Sequence, residues 1–528
     1  MMKRATGDAA GGLRPSAASF AWSLSGIVLL AGAWALAARS LPEIILPGLG
    51  TTLRAFAALV SEPATYLALG ESLSTYVIGL TNAAVLGALL GLVSGLNASA
   101  NAALAPLFAL LNAVPTVAWM GLAMIWFGLG AGPTAFLIVV TTTPILAAAL
   151  RNALRERDPR YEELADAYEL GRGERLRHVT VPPLVGPAHA ALVSMAGLGW
   201  KLTVMGEFLT ASRGLGEQLV IAKAHMQTSR VIAITILLVL VWVLVEALLR
   251  VIARWCAPRP SKRSAAGVGR GESPAAAGGE REGAIRCEGI ALGHDGERIA
   301  QEISFAAAPG SVTAILGPSG IGKSSLLHVL GGIAEPFEGA IERSEGLRCS
   351  YVFQDDRLLP WRSLGENVAL CAGVSLDRAC DQLAQLGLGD ACSRMPHELS
   401  GGMRRRGALA RGFLRDASLL LLDEPFAGLD VRRRVALIED IERMRRLSGK
   451  TIIFVTHDVE DALLLADQAI VLGGSPVASV AARVDLTPFG RERALEDPAM
   501  AEPRSRLLAE LLDENIAAGV TEHHTLKA

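Results

Sequence analysis

From Ser72 to Leu150 the chain runs for 79 residues without one Asp, Glu, Lys, Arg or His. About a quarter of the residues in an ordinary soluble domain are charged. A bilayer span takes about 20 apolar residues, so the run holds at most three spans and their turns. The rest of the 528-residue chain agrees with a membrane protein, being 51% apolar and only 19% charged. An ordinary soluble enzyme and a disordered scaffold are both excluded. The formal net charge of −2 gives no electrostatic case for a nucleic-acid partner.

Breakers divide the apolar half into about six expected spans. They cover Phe20 to Ala38, Leu73 to Leu96, Ala103 to Gly128 (interrupted by Pro115), Pro133 to Leu150, Pro183 to Thr210, and Val231 to Ile252. The first is too long and too weakly followed by a cleavage site to be a signal peptide. Seven arginines fall between Arg151 and Arg177, and Arg250 and Arg254 follow the last span. The positive-inside rule therefore puts both termini, this loop and everything after residue 254 in the cytoplasm. Lys201 and Glu207 lie in or beside the fifth span. Either they line a cavity or pathway, as charges at depth usually do, or they lie near the outer water.

Residues 257–283 are rich in Pro, Gly, Ser and Ala with no periodic apolar face, the composition of a flexible tether. Beyond them short β-type runs alternate with helical patterns, as in a mainly parallel sheet. One run, Ser311 to Leu316, leads into Gly317-Pro318-Ser319-Gly320-Ile321-Gly322-Lys323-Ser324. This is a phosphate-binding loop in its strand–loop–helix setting, continued by Ser325. Its glycines let backbone N–H groups close around phosphates, Lys323 neutralises β/γ oxygens, and the Ser324 hydroxyl suits Mg²⁺. A second run, Leu419 to Leu422, ends in Asp423, which can hold Mg²⁺ through water, and Glu424, which can polarise an attacking water. The six cysteines follow the last span without metal-type spacing and are expected to be reduced thiols.

Leu399-Ser400-Gly401-Gly402-Met403 resembles the signature motif of ABC transporter ATPases, and the companion motifs stand in order. Gln354 matches the Q-loop, Asp430 the D-loop and His457 the switch histidine. The resemblance spans about residues 284 to 485. It implies that Glu424, His457 and Gln354 act in hydrolysis, and that Ser324, Asp423 and Gln354 surround Mg²⁺. It also implies that the phosphate loop (residues 317–325), Ser400, Gly401, Gly402 and Asp430 bind ATP. The adenine-stacking aromatic of the family has no Tyr or Phe counterpart, and His294 is the nearest candidate.

Leu358-Leu359-Pro360-Trp361 is similar to the nitrate/sulfonate/taurine import ATPases. Pro115 to Gly128, and Trp200-Lys201…Glu207 with Gly214-Leu215-Gly216, are similar to the permeases of the same family. The Arg-rich loop resembles the coupling loop of importers, with Ala165-Asp166-Ala167, Gly171 and Pro182 in place of the usual triplet, glycine and proline. A short helix there is expected to dock beside Gln354, with Arg172 and Arg175 tested by charge reversal.

The expected fold is therefore multi-domain: an all-α, six-helix transmembrane domain like that of type I ABC importers, then an α/β P-loop ABC ATPase domain. The expected boundaries are 1–256 for the permease (coupling loop about 151–182), 257–283 for the linker, 284–485 for the ATPase and 486–528 for the tail. The resemblance implies ATP-driven uptake of a small solute across the cytoplasmic membrane, with ATP and Mg²⁺ as cofactors. It also implies a homodimer in the bilayer that receives its solute from a separate extracytoplasmic binding protein. The runner-up is a half-size ABC exporter, whose spans would continue far into the cytoplasm as charged helices. A third class, a membrane ATPase that transmits force or signals, would need larger outer segments than Arg39 to Glu71 and Ala211 to Arg230.

Overall fold

The computed structural model describes residues 17–256, 285–294, 297–344, 346–474, 477–490, 493 and 497–511. The expected tether at 257–283, and His523 and His524 of the tail, lie outside them. The chain divides into two units: Met1–Arg157 with Pro183–Ala257, and Asp158–Pro182 with Pro258–Ala528. The loop expected to be part of the permease therefore clusters with the nucleotide-binding half.

The helices, in chain order, are α1 (Ala17–Ser40), α2 (Leu49–Ser61), α3 (Pro63–Leu96), α4 (Ala98–Ala113), α5 (Thr116–Phe127), α6 (Ala131–Arg155), α7 (Pro159–Ala167), α8 (Arg172–Arg175), α9 (Pro182–Thr210), α10 (Gly214–Ala224) and α11 (Thr228–Cys256). A π-helical turn, Leu176–Thr180, follows α8. Among the described residues, α3, α6 and α11 are long and apolar enough to cross a membrane, and bent pairs raise the count to at most five. Six were expected. The described apolar part of the first, Val28–Ser40, is shorter than a span. The third expected span is two helices, α4 and α5, bent by 97°. Pro115 has no N–H to give the helix and pushes Val114 into an extended conformation (ψ 127°), so the ladder breaks there. Two short helices, α2 and α10, occupy segments expected to be plain outer connections.

The first unit is built around the α3–α6 contact. Gly79, Ala83, Gly87, Gly91 and Gly95 recur every fourth residue on one side of α3, the small-residue stripe that lets membrane helices approach closely. A Cβ on Gly91 would sit 2.9 Å from the Ala147 carbonyl oxygen, and one on Gly87 2.9 Å from that of Thr143. Glu207 is buried and is spent on structure. Its Oε2 accepts from the Ser72 hydroxyl (2.7 Å) and the Gly216 N–H (3.0 Å). The Leu215 N–H donates to Ser72 Oγ (2.9 Å), and that of Gly214 to Glu71 (3.2 Å). The first turn of α10, rich in free N–H groups, is thus bonded to α3 and α9 by carboxylates and a hydroxyl. Lys201 is exposed.

In the second unit β1 (Ile285–His294), β2 (Glu297–Ala307), β3 (Val312–Leu316), α12 (Lys323–Leu330), β4 (Glu338–Arg343), β5 (Cys349–Val352), α13 (Leu364–Ala372), α14 (Leu376–Gln385), α15 (Gly401–Leu414), β6 (Leu419–Asp423), α16 (Val431–Ser448), β7 (Thr451–Thr456), α17 (Val459–Leu465), β8 (Gln468–Gly473) and β9 (Ser479–Asp485) follow in order. They are closed by α18 (501–511). An antiparallel sheet β2-β1-β4 stands beside a six-stranded sheet ordered β5-β6-β7-β3-β8-β9, parallel except for β9. β3, β6 and β7 are buried at every residue, which is why their sequences are mostly apolar. Two expectations change. Cys380 and Cys392 are joined in a disulfide, because α14 folds back on the stretch before the signature motif. The described part of the tail packs into the core: Met500 and Leu507 are buried with α17 and β9.

Candidate functional site

The carboxyl ends of the central strands gather the chemistry, as in other open α/β sheets. β3 runs into the phosphate loop, where Gly320 (φ 85°) and Gly322 (φ 98°) occupy the left-handed region and α12 begins at Lys323. Lys323 Nζ is buried and donates to the carbonyls of Gly317 (2.7 Å) and Pro318 (2.8 Å). Burial lowers its pKa, opposed by the Glu424 and Asp423 carboxylates. Ser319, Gly320 and Ser325 are exposed, while Pro318, Ile321 and Ser324 are half-buried.

β6 delivers the carboxylates. Ser324 Oγ donates to Asp423 Oδ1 (3.0 Å), and the buried Tyr351 hydroxyl donates to Asp423 Oδ2 (3.4 Å). Burial raises the Asp423 pKa and the Ser324 hydrogen bond draws it back. Two hard oxygens side by side fit Mg²⁺, which takes one or two protein ligands and completes its octahedron with phosphate and water. Among the described residues no group of three or more His, Cys, Asp or Glu could hold a metal without such help.

Glu424 has φ 43°. Its carboxylate meets Gln354 Nε2 at 3.2 Å and His457 Nδ1 at 3.6 Å, so the structure brings Glu424, Gln354 and His457 together. A separate hollow is lined by Ser400, Gly402 and Met403 with Arg405, Arg406 and Leu429, whereas Gly317, Pro318 and Ser319 line another with His457. Ser400 caps α15 by accepting from the Met403 N–H, with Gly401 opening the helix, and Asp430 caps α16 by accepting from the Arg433 N–H. His294 ends β1 opposite Glu297, and its side chain lies outside the described residues.

Residues 158–182 bind the cassette around the Gln354 loop. Tyr168 is buried, with its hydroxyl donating to the Tyr351 carbonyl (2.8 Å) and the Arg415 guanidinium donating to its own carbonyl (2.6 Å). Arg160 reaches Asp355 (3.1 Å) and Arg357 reaches Glu163 (2.6 Å). The Trp361 indole donates to the His178 carbonyl (2.9 Å), and Arg362 donates to His178 Nδ1. These contacts displace the expected emphasis on Arg172 and Arg175. Arg172 is exposed, and Arg175 is held inside the segment by Asp166 (2.5 Å) and Glu162 (3.6 Å). Sequence reasoning missed Tyr168, Tyr351 and Arg405. The signal for Arg405 was a charge among small and apolar residues at helical spacing, Arg405-Ala408-Leu409-Gly412, which marks it as facing inward.

A membrane unit of apolar helices, followed by a parallel sheet with a phosphate loop and adjoining carboxylates, defines an ATP-hydrolysing membrane transporter. Residues 300–427 match the ABC transporter family, and residues 83–259 match the binding-protein-dependent transport system inner membrane component. The aliphatic sulfonates import ATP-binding protein SsuB 1 of Rhodococcus jostii is 39% identical over 224 residues, covering 42% of this chain and 89% of that protein. SsuB 3 of Nocardia farcinica is 40% identical over 232 residues, covering 43% and 91%. SsuB 1 of Xanthomonas axonopodis is 36% identical over 229 residues, covering 40% and 90%. The chain belongs to the ABC transporter family as an importer with its permease and ATPase fused, and it couples ATP hydrolysis to the uptake of a small solute.

Proposed function

We propose that two copies of this chain take up a small anion, an aliphatic sulfonate first among the candidates, from a separate extracytoplasmic binding protein. Nitrate, taurine and thiamine-precursor-like compounds are the other solutes considered. The copies sit in the cytoplasmic membrane with their cassettes in the cytoplasm. The phosphate loop at 317–325 cradles ATP, Lys323 neutralises its phosphates and His294 is the candidate to contact the adenine. Ser324, Asp423 and Gln354 surround Mg²⁺, which when bound neutralises phosphate charge. Glu424 polarises the attacking water, with Gln354 and His457 orienting it. Ser400, Gly401, Gly402 and Asp430 serve the nucleotide of the other copy, a reading supported by the place of Ser400 and Gly402 in a separate hollow.

The observation that carries coupling of hydrolysis to transport is the bonding of residues 158–182 to the residues flanking Gln354. Those residues join α6 to α9, so nucleotide-driven movement at Gln354 pulls on two membrane helices. The solute class rests on the names of the relatives. The test is ATPase rate in nanodiscs with an alkanesulfonate-loaded or empty cognate binding protein. The loaded protein is expected to stimulate, because it binds the closed state better. Glu424→Gln is expected to keep ATP binding and lose turnover by a factor of about 100 or more. Reversing Arg160 and Glu163 together is expected to abolish stimulation while basal hydrolysis persists. Indifference to the binding protein, with stimulation by hydrophobic compounds, would overturn import in favour of the half-size exporter.

A further inference from the structure

Glu424 combines two features that rarely coexist. It precedes Pro425, a position that favours extended backbone, yet it has φ 43°. A residue with a Cβ holds the left-handed region only where its surroundings over-determine it. Here the Glu424 N–H donates to the Val455 carbonyl (3.2 Å), the Ala427 N–H donates to the Glu424 carbonyl (3.2 Å), and one guanidinium bonds that carbonyl and those on either side of it.

Arg405, buried in the second turn of α15, donates to the carbonyls of three successive residues. Its Nη2 reaches Asp423 (3.2 Å) and Glu424 (2.8 Å), and its Nε reaches Pro425 (3.0 Å). Its other arm, Nη1, donates to the carbonyls of Phe353 (2.7 Å) and Gln354 (2.9 Å). Asp356 stands 3.6 Å away as the nearest opposite charge. A planar fork of five donors can bridge two loops in this way, whereas an ammonium presents its three donors from one point. The loops so bridged are the two whose side chains meet as Gln354 and Glu424.

We infer that Arg405 is a positioning residue for hydrolysis: it holds Glu424 in its left-handed conformation against Gln354 and ties both to the helix that begins at the signature motif. The inference rests on the role proposed above for Glu424 and deepens it. Because Ser400, which serves the partner copy's nucleotide in that reading, caps α15, Arg405 also links what one site feels to the geometry of the other.

The experiment uses the full-length transporter in nanodiscs. Turnover and equilibrium binding of a fluorescent ATP analogue are measured for Arg405→Lys, Arg405→Gln, Glu424→Gln and the double variant Arg405→Lys/Glu424→Gln. Arg405→Lys is expected to lower kcat at least 20-fold with KM and analogue Kd changed less than threefold, and Arg405→Gln to lower it further. In the Glu424→Gln background, Arg405→Lys is expected to change the residual single-turnover rate less than twofold, since it acts through the missing carboxylate. Equal factors in both backgrounds would overturn the inference. So would a loss confined to Kd, or failure of both Arg405 variants to bind nucleotide, which would make Arg405 a folding residue. Wild-type turnover in Glu424→Gln alone would instead overturn the role of Glu424 itself, and the inference with it.

Discussion

His178 shows how much one side chain contributes to the dock of residues 158–182. Its Nδ1 accepts from Arg362, so the imidazole must be neutral. Burial, then the Arg362 and Arg177 cations, push its pKa down to about 4, from an ordinary value near 6.5. Between those values the undocked ring binds more protons than the docked one. Docking is therefore complete above about pH 6.5 and weakens as the pH falls toward 4. The protection factors of the amides in residues 158–182, which are exchange rates normalised to the intrinsic rate at each pH, are expected to fall between pH 7 and pH 5, and His178→Asn is expected to flatten that dependence. An unchanged pH response in His178→Asn would assign the effect to another group. The histidine itself was visible in the sequence, but the arginine that fixes its protonation state is 184 residues away.

At the scale of elements, the contact of α3 with α6 depends on absent side chains. The stripe at 79, 83, 87, 91 and 95 stands in the sequence as a spacing of four that sequence reasoning passed over, because nothing in the sequence names its partner. The structure supplies the partner, with the Ala147 backbone 2.9 Å from a Cβ on Gly91 and the Leu154 side chain 2.5 Å from one on Gly95. Overpacking such a contact costs about 1–3 kcal/mol. Gly91→Leu is therefore expected to lower the thermal midpoint in detergent by several degrees, and Gly121→Leu, where a Cβ meets nothing within 4 Å, to leave it nearly unchanged. Equal midpoints for the two variants would show that α3 and α6 can separate at no cost. Helices α2 and α10 are too short to span a bilayer, and a reading that sought membrane spans passed over them.

For the whole molecule, one chain carries one phosphate loop and one signature motif, in two separate hollows. A composite site then needs a second copy. Native mass measurement in detergent is expected to find a dimer of the 55.4-kDa chain as the ATP-hydrolysing species. An active monomer would overturn that assembly.

The sequence by itself determined the class. A charge-free run of 79 residues has no home outside a bilayer, and the nucleotide motifs are local, each needing only a strand end or a helix start to be correctly placed. That is why Asp423, Glu424, Gln354 and His457 could be named before their distances were known. Tertiary structure decided what depends on residues far apart in the chain. It gave residues 158–182 to the cassette, turned Glu207 into a brace, joined Cys380 to Cys392 and buried Met500 and Leu507 in the core. It also made Arg405, one arginine in a run of three, the group on which five carbonyls converge. A buried polar group is defined by the partners that satisfy it, and those partners are brought together only by folding.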